Sequence, residues 1–177
     1  MATVRLLLGI IFFGFAGSIG LPHSHMLTIR EKLVLRAEKE IGVRERTGRN
    51  DGIRVETYLR SVGLKIGNPW CAAFISFLFG QEGLDEPRTG WSPDLFPKSR
   101  FTRSALPGNL LAIYFPDLKR IGHVGLITGN QGDYICSIEG NTNVTGSREG
   151  DGVYRKRRHI KTIYMFSDWI SNKGAAL

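Results

Sequence analysis

Residues 68–79, Asn-Pro-Trp-Cys-Ala-Ala-Phe-Ile-Ser-Phe-Leu-Phe, restrict the fold more than any other stretch of the chain. They read as an apolar helix with a cysteine in its first turn, and such a helix needs cover from the rest of the fold. Asn68 is a good N-cap, and Pro69 at the first helical position gives up no intrahelical hydrogen bond. On that count Trp70 and Cys71 take the second and third positions, where backbone N–H groups are still free. The positive end of the helix dipole lies there and favours the thiolate of Cys71. Core packing does not require this placement, and a nucleophile profits from it. Buried cysteines that merely pack are nevertheless common, so the remaining chain has to supply a base.

Helical patterns come first. Thr28 and Glu31 fit a capping box, and Leu33, Val34, Ala37 and Ile41 follow at helical spacing until Gly42. Arg44 to Gly52 reads as a loop. A second helix covers about Ile53 to Val62, with Val55, Leu59 and Val62 as its apolar face. Gln81 to Arg103 reads as a long loop punctuated by prolines, and Trp91 within it reads first as a core anchor and second as a platform for a sugar or peptide. From Leu106 the period changes to two: 110–115, 123–128 and 134–139 read as strands, with Gly129-Asn130-Gln131-Gly132 as the turn between the last two. Further strands are expected near 152–155 and 160–166. Helices followed by an antiparallel sheet define an α+β domain.

A chain of 177 residues with 42% hydrophobic and 23% charged residues suits one globular domain. Its net charge of +8 favours an acidic partner, such as nucleic acid, an anionic membrane or an anionic wall polymer. Met1 to Arg5 is a basic leader and Leu6 to Gly20 is apolar, shorter than the ~20 residues of a membrane span. Residues 1–20 therefore read as a secretory signal peptide, an uncleaved anchor being the alternative. The domain is expected over 27–169, with 170–177 as a C-terminal tail. Export permits a disulfide between the two cysteines, but strand alternation turns Cys136 away from Ser137 and Glu139, and it reads as core. Arg155-Lys156-Arg157-Arg158 reads as a solvated turn, with holding of an anionic polymer as the functional alternative.

A cysteine hydrolase needs a base and a polar group to orient it. Of the four histidines, His23 and His25 lie at the leader junction and His159 in the basic run, which leaves His123 at a strand start. A turn centred near 130–131 sets position 123 opposite about 138–139, so His123 and Glu139 lie side by side. Glu139 or Asn141 is then placed to accept one ring proton while the other nitrogen addresses Cys71.

Pro69-Trp70-Cys71-Ala72-Ala73-Phe74, Pro107-Gly108-Asn109-Leu110, Gly122-His123-Val124-Gly125 and Ile138-Glu139-Gly140-Asn141-Thr142, in this order, resemble the CHAP family. These are cysteine, histidine-dependent amidohydrolases/peptidases of the papain-like superfamily that cut bacterial peptidoglycan. One departure is visible, since many relatives have Pro-Gly-Asp where this chain has Pro107-Gly108-Asn109. The resemblance implies a papain-like α+β fold, with the nucleophile at a helix N-terminus packed on an antiparallel β-sheet. It implies Cys71 as nucleophile, His123 as base, Glu139 as its orienting partner and Asn141 as a fourth member. Trp70 and Trp91 are the candidate substrate-binding residues. The implied activity is cleavage of a peptidoglycan amide, as an N-acetylmuramoyl-L-alanine amidase or a stem-peptide or cross-bridge endopeptidase, through an acyl-enzyme and without metal or cofactor.

The expected location is secreted, or periplasmic and cell-envelope, with peptidoglycan and an anionic wall surface as partners and no membrane association after leader cleavage. The alternative is an inactive module of the same fold that binds wall peptide or a protein. Nucleic-acid binding rests on charge alone, with no basic helix or stacking-aromatic motif behind it.

Overall fold

The computed structural model describes residues 26–145 and 150–171; the leader and residues 172–177 lie outside them. Among the described residues three α-helices precede all six strands of an antiparallel sheet, so the chain is an α+β protein. Helix α1 is Ile29–Glu40, α2 is Ile53–Ser61 and α3 is Cys71–Gln81. The strands are β1 Phe101–Thr102, β2 Leu110–Phe115, β3 Arg120–Gln131, β4 Tyr134–Thr142, β5 Gly152–His159 and β6 Met165–Ser167. Their order across the sheet is β1-β6-β2-β3-β4-β5.

Local chemistry explains the helical starts and stops. Thr28 and Glu31 form the expected capping box on α1, and Gly42 follows with φ at 96°. Helix α2 buries Val55 and Leu59 and also Tyr58, whose hydroxyl donates to the Glu40 carboxylate at 2.6 Å. Helix α3 is buried from Cys71 through Phe79. It packs on α2 and on β3 and β4, with Tyr58 in ring contact with Trp70, Phe74 and Phe77, and Trp70 with Phe74. Full burial of a ring such as Phe74 contributes about 1.5–3 kcal/mol.

Several boundaries differ from the sequence reading. Helix α3 begins at Cys71 with Trp70 as its cap. Asn68 does not cap it; it lies two residues before that cap, and its side-chain amide donates to the Lys65 carbonyl. The β3–β4 turn falls at residues 132–133, with Gln131 paired to Tyr134 and Gly132 at φ 59°. Residues 160–162 form a 3-10 turn, leaving only Met165–Ser167 as strand. The loop after α3 is ordered by short 3-10 turns at Ser92–Leu95 and Lys98–Arg100, and Trp91 is half exposed, so it is not a core anchor.

The basic run is strand rather than turn, and alternation disperses its charges. Arg155 pairs with Glu38, Arg157 lies over Tyr134, and Arg158 turns inward to Glu139. The ordered fold also extends past 169. Ile170 packs on the core, and Asp168 accepts from the N–H groups of Ile170 and Ser171 while pairing with Arg30. Among the described residues no helix is long and apolar enough to cross a membrane.

Candidate active site

Cys71 is the first residue of α3, so its N–H has no intrahelical acceptor and its thiol sits at the positive end of the dipole. Instead of Asn68, the helix start is held by Asn141, whose Oδ1 accepts the Trp70 N–H at 3.0 Å. Asn141 adopts φ 54° and gives its amide to Asn50 Oδ1 at 3.0 Å and to Glu45 Oε1 at 3.3 Å. Glu45 also accepts the Trp70 indole N–H at 2.8 Å. Asn141 therefore anchors the start of α3 and does not join His123, because the break in β4–β5 register between Glu139 and Thr142 turns it away. Trp70 is fully buried in the aromatic core, and the expectation that it contacts substrate is corrected.

His123 reaches the cysteine from β3. Its Nε2 lies 2.8 Å from Glu139 Oε2, which leaves Nδ1 as the ring nitrogen free to interact with Cys71. The pairing differs from the expected one. Leu126 opposes Ile138, so the register carries Gly125, not His123, across from Glu139. Glu139 reaches His123 diagonally over Gly125, where a Cβ would come within 2.7 Å of Glu139 Cγ. Glycine at 125 is thus a steric requirement of the His–Glu contact.

Glu139 is fully buried and its charge is well compensated. It accepts from Ser137 Oγ at 2.7 Å and from Arg158 Nε at 2.7 Å, with a second Arg158 bond through Nη2. Arg158, Ser137 and Ser92 are site residues that the sequence reading missed. Ser92 Oγ lies 3.3 Å from Cys71 Sγ.

Burial acts against every charge in this group, and the contacts outweigh it. Burial raises the Glu139 carboxyl, but the fork of Arg158 and the neighbouring His123 hold it far below the usual carboxylate range. Burial lowers His123, yet hydrogen bonds to Cys71 and Glu139 and the Glu139 charge raise it to about 9. Burial pushes the Cys71 thiol up, and His123, Ser92 and the Ala72 N–H bring it below its ordinary value. The arrangement favours a thiolate–imidazolium pair at neutral pH.

The cysteine opens onto a cleft of about 260 Å³ whose walls include Asn68, Thr89, Trp91, Ser92 and Arg120. Cys136 lies apart from it. Both cysteines are free, and Cys136 is half-buried in an open groove beside β5 rather than in the core. Among the described residues no three His, Cys, Asp or Glu side chains are grouped as metal ligands. No model of a known protein family, no curated protein and no solved structure matches this chain.

Proposed function

We propose that the chain is a cysteine amidase or peptidase with a papain-like, CHAP-type domain, and that it hydrolyses an amide of bacterial peptidoglycan. The observation that carries this reading is the continuous set of contacts from Cys71 through His123 to Glu139 and Arg158, beside an open cleft. Each member has the role that amide hydrolysis requires. The choice of peptidoglycan rests on the CHAP-like motifs, and the net charge of +8 suits an anionic wall.

In the proposed reaction Cys71 Sγ attacks the amide carbonyl carbon, and a C–S bond forms as the carbonyl oxygen takes negative charge. The Cys71 N–H at the helix start is the donor available to that oxygen. The Nδ1–H of His123 passes its proton to the departing nitrogen as the C–N bond breaks, leaving a thioester and a free amine. Neutral His123 then takes a proton from water, and the resulting hydroxide displaces the thiolate and releases the carboxylate product. Glu139 stays ionised throughout, holding the ring orientation and stabilising the imidazolium, and Arg158 keeps Glu139 charged.

Mass spectrometry of purified peptidoglycan incubated with the protein, beside Cys71→Ala, tests the proposal. Soluble fragments from the wild type alone are expected, and their new termini identify whether the sugar–peptide amide or a peptide bond is cut. No release by either protein from several wall types, with Cys71 confirmed as a reduced thiol, overturns it.

A further inference from the structure

The cleft beside Cys71 has an uneven chemical lining. Arg120 is its one basic wall residue, and none of its walls is acidic. The Arg120 guanidinium lies 4.0 Å from the centre of the exposed Trp91 ring. One of its nitrogens, Nη1, donates to the carbonyl of the adjacent Ile121 at 2.9 Å. Among the described residues no carboxylate pairs with it, whereas Arg30, Arg36, Arg54 and Arg158 each have one. A guanidinium held over an indole face still has N–H groups to offer, and its fork matches a carboxylate. The contact with the ring restricts the side chain, so less freedom is lost when an anion binds.

We propose that Arg120 on its Trp91 platform is a carboxylate subsite, and that the preferred substrate is a peptide with a free carboxylate flanking the scissile amide. The inference rests on the hydrolase reading for the meaning of "scissile", and it deepens that reading by assigning the charge of the group bound beside it. Trp91 supplies an apolar face for the backbone or side chain that bears the carboxylate. The positive start of α3 lies in the same cleft and reinforces the preference for negative charge. Wall peptides whose carboxylates are amidated lose the ionic half of this contact and bind less tightly.

Calorimetric titration of the full-length Cys71→Ala protein tests this without turnover. The probes are a soluble wall stem tetrapeptide with free carboxylates and the same peptide with its carboxylates amidated. A preference of about tenfold for the free acid is expected, the scale of one charge-assisted contact at a partly solvated site. Adding Arg120→Gln should bring the ratio close to one. Arg120→Lys, which keeps charge but not the fork, should leave an intermediate ratio and guards against a folding defect in the Gln variant. Equal affinity for the two peptides, binding of neither, or an unchanged ratio after Arg120→Gln overturns the subsite. An intact preference without hydrolysis by the wild type would instead sink the hydrolase reading and leave the subsite standing.

Discussion

Replacing Glu139 with Gln separates the charge behind His123 from the hydrogen bond that orients it. Gln keeps an acceptor for the Nε2–H of His123 and removes the negative charge. The size of the effect follows from the site. His123 is raised from 6.5 to about 9 against the opposing effect of burial, a net of about 3 kcal/mol in favour of the imidazolium. Two partners supply that gain, Cys71 and Glu139, each through a hydrogen bond and a charge. Removing one charge should withdraw roughly a third to a half of it, which corresponds to about one pH unit.

The sign is fixed by the direction of the shift: with its pKa raised, His123 keeps its proton until the pH rises through about 9. Without Glu139 the proton leaves earlier, and the alkaline limb of the activity profile moves to lower pH. The thiol responds in the opposite sense. Cys71 is lowered against burial chiefly by His123, so a weaker imidazolium lets the thiol rise. Alkylation of Cys71 by iodoacetamide, followed from pH 4 to 10, measures the thiolate with no substrate. Its acid limb should move to higher pH, with alkylation on that limb slower than in the wild type. Arg158 loses its carboxylate partner in this variant, a loss of about 3–5 kcal/mol, so melting and circular dichroism must confirm a folded protein at the assay temperature. A folded Glu139→Gln protein whose alkylation profile overlays that of the wild type refutes the reasoning.

Three further substitutions probe the supports. Gly125→Ala places a Cβ within 2.7 Å of Glu139 Cγ in a buried site; it should cost about 1–3 kcal/mol by chemical denaturation and move the alkylation limb as Glu139→Gln does. Asn141→Ala removes the acceptor for the Trp70 N–H and keeps a left-handed backbone without Asn's local hydrogen bonds. A loss of about 2 kcal/mol is expected in the same denaturation assay, with Asn141→Gly recovering only the backbone share. Ser92→Ala removes the hydroxyl 3.3 Å from Cys71 Sγ and should raise the acid limb of alkylation by less than Glu139→Gln does.

How far the site could be read from the sequence depends on how freely chemistry lets each part vary. Cys71, His123 and Glu139 are types that few residues can replace in their roles, and their order was visible with no coordinates. The fold class was equally legible, because the change from helical to alternating period at Leu106 is strong and local. Register was not. The expected hairpin centre near 130–131 put His123 directly across from Glu139, and the observed turn at 132–133 puts Gly125 there instead. The two residues still meet because glycine opens a diagonal path that no periodicity reveals. Asn141 differs for a related reason: sharing the Glu139 face requires the strand to continue, and the register break and its positive φ redirect the side chain to the helix start.

Arg158 was hidden by its neighbours, since a run of four basic residues resembles a solvated turn. Its strand offered a usable signal. With β5 extended to His159, Tyr154, Lys156 and Arg158 alternate onto the face that carries Glu139. A fully buried carboxylate in turn requires a cation or several donors. That requirement distinguishes the members of the run: an arginine on the Glu139 face can meet it, whereas Arg155 and Arg157 on the opposite face cannot. The need to compensate a buried charge therefore identifies a supporting residue that composition alone conceals.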